Sequence, residues 1–94
     1  MSAPSLVRAF DEAIAAVRRL EADGLRTAQG APAADQLGRL VEELVARRAE
    51  VAAGAGLDRA WAGRTVRWVT DWLPDTALPL LARLGVIARA AGAP

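Results

Sequence analysis

The chain contains no cysteine, histidine, lysine or tyrosine. Without cysteine there is no disulfide, thiolate zinc site, iron–sulfur cluster or cysteine nucleophile, and without histidine the imidazole metal ligands and the usual general base are missing. The missing lysine removes Schiff-base chemistry and a lysine-anchored phosphate loop, and the missing tyrosine removes a phenolic acid or nucleophile. Long apolar runs are lacking too. The longest charge-free apolar stretch, residues 76–82, falls far short of the roughly 18 residues a membrane span needs. The N-terminal MSAPSLVRAFDEA meets a charge too often for a secretory signal. A soluble cytoplasmic protein is the expectation.

What is present is one small domain. Ninety-four residues bury a limited core, and of the 53% apolar residues 23 are alanine, leaving 27 larger ones. Twelve arginines against 11 acidic residues give a formal charge of +1, so the global balance does not point at nucleic acid or an anionic surface. The alanine excess and the exclusive use of arginine read as the coding bias of a GC-rich, bacterial genome.

Glycine and proline divide the chain into four stretches of helical period, and no β-branched run competes with them. The spacing predicts an all-α four-helix bundle with helices at residues 5–23, 36–53, 59–73 and 77–91. Leu6, Phe10, Ala13, Ile14, Val17 and Leu20 line the first, which Gly24 ends with Leu25 as the apolar contact of its cap. A flexible linker is expected near residues 25–34. Asp35 and Asp58 are the expected N-caps of the second and third helices, and Thr76 that of the fourth, which places Pro79 in its first turn. Pro74 forces a sharp corner, and Gly85 is a position where the fourth helix could bend or end. The alternative architecture is a hairpin of the first two helices with the last two docked across it, or an intertwined dimer that exchanges them with a second copy.

One surface stands out. Winding the third helix at about 100° per residue puts Trp61, Trp68 and Trp72 in a strip about 40° wide, beside an aliphatic edge. A buried indole covers up to about 250 Å² and its N–H wants an acceptor. Trp at helical spacing is usually core, but this interior has few large residues to pack three indoles. The trio is therefore the expected docking edge, with Arg64 one turn before Trp68 in reach of a cation–π contact. The fourth helix is apolar nearly all round: Leu78 and Val86 point away from its core stripe, guarded by Arg83 and Arg89. Arg48 projects into the apolar stripe of the second helix, where it either snorkels out or pairs with an acid, Asp71 and Asp75 being the candidates.

The expected function is a non-enzymatic protein-interaction or oligomerisation module, an adaptor that binds itself as a homodimer or binds a larger protein. Its partner-binding residues are Trp61, Arg64, Trp68, Trp72, Leu78, Arg83 and Val86, with Arg64 and Arg83 at the rim. No catalytic residue, metal ligand or cofactor is expected: the adjacent acids Asp11-Glu12 and Glu42-Glu43 diverge on a helix, and Asp71 and Asp75 read as an ion-pair partner and a helix start. The alternative is a small-molecule-binding or carboxylate-dependent bundle whose apolar pocket is walled by the three indoles. Third comes a helix-turn-helix-like nucleic-acid binder using Arg59, Arg64 and Arg67. A membrane surface ranks behind a protein partner for the fourth helix.

Overall fold

Glycine sets where the first two helices stop. Gly24 and Gly54 have φ of +69° and +95°, a left-handed turn that a residue with a Cβ resists. After Gly24 the Leu25 N–H returns to the Leu20 carbonyl at 3.1 Å, and after Gly54 the Ala55 N–H returns to Glu50 at 2.9 Å. Both bonds close on carbonyls that the helix end leaves open. The computed structural model describes residues 2–92. It contains α1 (Ala3–Ala22), α2 (Ala34–Ala52), α3 (Arg59–Trp72) and α4 (Leu78–Ala90), the last preceded by a single 3-10 turn, Asp75–Ala77. The all-α four-helix reading holds, with each helix end within two residues of its expected position.

The start of α3 agrees with expectation, and a side chain decides it. Asp58 Oδ1 accepts the Ala60 and Trp61 N–H groups at 2.8 and 3.2 Å, which fixes the first turn of α3. Two expected caps are corrected. The N-cap of α2 is Ala33, without a side-chain bond, and Asp35 lies inside the first turn. Ala33 is fully buried and its N–H binds the Leu25 carbonyl, so packing starts the helix before Asp35 is reached. Thr76 does not cap α4 either. Pro74 leaves the corner extended, the chain winds into the 3-10 turn through Thr76, and Ala77 becomes the junction. Pro79 then sits at the second position of α4, where its missing N–H costs nothing, and the helix runs through Gly85 to Ala90.

α1 lies against both α2 and α4, and α4 against α3, whereas the α2 and α3 backbones scarcely approach one another. All four helices of one chain share the core. Phe10 and Val17 of α1 share one buried cluster with Leu37, Leu40 and Leu44 of α2, Val69 of α3, and Leu80 and Ile87 of α4, all fully or almost fully buried.

The segment read as a flexible linker carries its own hydrogen bonds. Thr27 is buried, its N–H binds the Ala31 carbonyl at 2.7 Å, and its Oγ1 accepts the Ala31 N–H at 3.2 Å. From this hook the Ala28 N–H reaches the Trp72 carbonyl at 2.8 Å and the Gln29 amide reaches that of Asp71 at 3.3 Å. Pro74 prevents α3 from continuing, so its last carbonyls need partners from elsewhere, and the hook supplies two.

Two substitutions test this account by urea denaturation. Leu40→Ala leaves a cavity at a fully buried position and is expected to cost about 2–5 kcal/mol. Thr27→Val keeps the shape but removes the side-chain acceptor for the Ala31 N–H, with an expected loss of about 1 kcal/mol; an unchanged midpoint would mean that the Thr27 hydroxyl does not help to hold the loop.

Candidate functional site

α2 and α3 leave a gap between their backbones, and side chains fill it from both sides. Arg39, Glu43 and Arg47 succeed one another at four-residue steps on α2, about 6 Å apart along the axis. Trp61, Thr65 and Trp68 answer from α3. The Asp58 cap sets the angle at which Trp61 leaves the first turn of α3, and the indole is 5% exposed. Phe10 stacks on it with centroids 6.2 Å apart. Its Nε1–H donates to Glu43 Oε2 at 2.9 Å, which partners a buried donor and fixes the carboxylate.

Arginines lie over the two indoles that face the gap. The Arg47 guanidinium is 5.5 Å from the Trp61 ring and that of Arg39 is 4.9 Å from the Trp68 ring, both within the range of a cation–π contact. Trp68 is half-buried and meets the buried Trp72 edge-on at 5.3 Å. Together these side chains and Arg64 border a groove of about 320 Å³. Arg47 is also paired with Glu50 at 2.9 Å, and that hydrogen bond raises its pKa above the ordinary arginine range. Among the described residues Arg39 and Arg64 have no ion-pair partner. Glu43 is thus the single acid among three cations at the groove, and the Trp61 bond engages only one of its oxygens.

The expected site residues divide into two places. Trp61, Arg64 and Trp68 come together in the groove. Trp72, 6% exposed, is core beneath Trp68, so neither it nor Trp61 offers an open face to a partner. The expectation that one small chain could not cover all three indoles is corrected for Trp61 and Trp72 and stands for Trp68, which remains partly exposed; the arginine side chains of α2 provide cover that a count of apolar residues leaves out. The cation over Trp68 is Arg39, from the neighbouring helix, and not Arg64. Leu78, Arg83 and Val86 lie on α4 and are not part of the groove. Leu78 is half exposed, Val86 is partly buried, and Arg83 binds Glu12 of α1 at 2.8 Å. Arg48 reaches neither Asp71 nor Asp75. It pairs with Asp11 of α1 at the surface, and that hydrogen bond raises its pKa.

Sequence reasoning missed Arg39, Glu43 and Arg47. Their signal was the row of alternating charge Asp35, Arg39, Glu43, Arg47 at four-residue spacing, which by itself reads as an ordinary solvated helix face. Among the described residues no group of three acids is placed to hold a metal ion, and no helix is long and apolar enough to cross a membrane. No protein-family model matches the chain, and no curated protein or solved structure is similar to it.

Two outcomes follow from this geometry. Trp61→Phe keeps the ring stack but removes the bond to Glu43, and is expected to lower unfolding free energy by about 1–3 kcal/mol. The raised pKa values of Arg47 and Arg48 come from hydrogen bonds to carboxylates and are lost as pH rises through the arginine range, so between the carboxylate and arginine ranges they contribute nothing that varies with pH. No side chain present has an ordinary pKa between those of glutamate and arginine, so denaturation midpoints are expected to stay level from about pH 6 to 9. A slope in that window would mean either a strongly displaced carboxylate or a contribution from the chain's α-amino group, which ordinarily titrates there.

Proposed function

We propose that this chain is a non-enzymatic protein-interaction module that holds an acidic segment of a larger protein in the α2–α3 groove. The observation that carries this reading is the pair of unanswered cations, Arg39 and Arg64, beside indoles. Three cations against the single acid Glu43 leave a net repulsion, and carboxylates arriving from a partner relieve it. Stacking on Trp68 restrains the Arg39 guanidinium, so less freedom is lost when it takes up hydrogen bonds to a carboxylate. Arginine and tryptophan together are the residues from which interface hot spots are most often built.

The remaining surface favours a larger protein over a second copy. Among the described residues only Val45 and Leu78 are large apolar side chains left exposed, and they stand on different helices. An apolar homodimer interface needs a continuous patch far larger than two such residues. A second reading has one observation in its favour: the groove volume, about 320 Å³, falls at the lower end of small-ligand sites. In that case the occupant is a small organic anion.

Titration with a glutamate-rich peptide, followed by indole fluorescence and calorimetry, tests the proposal. Binding is expected to weaken steeply with added salt, to be level from about pH 6 to 9, and to fall about tenfold in Arg39→Ala and in Arg64→Ala, the equivalent of one charge-assisted hydrogen bond. Absence of any heat or spectral change at millimolar peptide would refute it. Citrate binding with no response to the peptide would transfer the site to the small-anion reading.

A further inference from the structure

The groove is not uniformly basic, and its one acid occupies a defined place. Along α2 the order is Arg39, Glu43, Arg47: cation, anion, cation, each step about 6 Å. Glu43 cannot turn away from the groove, because the Trp61 Nε1–H holds one carboxylate oxygen at 2.9 Å. A carboxylate has acceptor sites on both oxygens, so its second oxygen remains available to a donor that enters between the two arginines. The two flanking cations are held as well, Arg39 over Trp68 and Arg47 over Trp61. The three charges therefore form a row fixed by side chains of the neighbouring helix.

Resting on the interaction reading above, we infer that the groove selects its partner by charge order: a helical segment that presents acid, base, acid at successive four-residue steps. The base meets Glu43, one acid meets Arg39, which has no ion-pair partner among the described residues, and the other acid shares Arg47 with Glu50, whose contacts use only Nη1 of that guanidinium. On a partner helix lying nearly parallel to α2, residues four apart advance by the same step of about 6 Å and so keep pace with the row. The same row argues against a nucleic acid, whose backbone presents phosphate at every step and would set negative charge against Glu43. Wrong partners are rejected by that like-charge contact as much as the right one is held by its attractions.

The experiment compares two alanine-based helical peptides of identical composition. One carries glutamate, lysine, glutamate at four-residue steps, and the other has lysine moved to the end of the row. Both are titrated into the unaltered chain and into Glu43→Gln, which can still accept the Trp61 N–H but carries no charge. The ordered peptide is expected to bind the unaltered chain about tenfold more tightly, and the preference is expected to vanish in Glu43→Gln. Equal affinity of the two peptides for the unaltered chain overturns charge-order selection while leaving the acidic-segment reading intact. Failure of both peptides to bind overturns the two together, and so does a duplex DNA that binds more tightly than the ordered peptide. Retention of the preference in Glu43→Gln removes Glu43 as its source and overturns the inference.

Discussion

The indole of Trp61 bridges a space that the backbones of α2 and α3 leave open. One end of it is core, stacked on Phe10 of α1, and the other end donates to Glu43 on α2. This side chain therefore ties three helices together. Removing it would do more than open a cavity. Glu43 would lose the donor that orients it, and Arg47 would lose the ring it lies over. The groove and the core are thus two sides of one ring, and neither can be altered there without the other.

Much of the fold was legible because it is decided locally. A positive φ at Gly24 and Gly54, the Asp58 cap and the proline corner each act within a few residues, and the apolar period does the rest. Expectation failed where contacts far apart in sequence took over. Asp35 is a good cap residue, yet a buried Ala33 bonded to Leu25 starts the helix earlier. The partner of Arg48 was sought near the proline corner, but the register of α1 against α2 delivers Asp11 instead. That register is tertiary information, absent from any single helix.

The candidate site was half legible for a related reason. Counting apolar residues against three indoles predicts a shortfall, and the shortfall is real. It is met by the stems and guanidinium faces of Arg39 and Arg47, which a hydropathy count scores as purely polar. Trp68 stays partly exposed for want of further cover, and so the groove forms beside it. A thin core thus brings cations and aromatic rings into contact and leaves them at the surface.

The hook between α1 and α2 also bears on the order in which the molecule is assembled during synthesis. Residues 27–31 leave the ribosome well before the α3 end that Ala28 and Gln29 will hold. For that interval the hook has no helix to seize, and α3, once made, keeps a frayed end until the two halves of the chain have come together. Closure of this small clasp therefore has to wait for the end of α3, and contacts that distant in sequence form slowly.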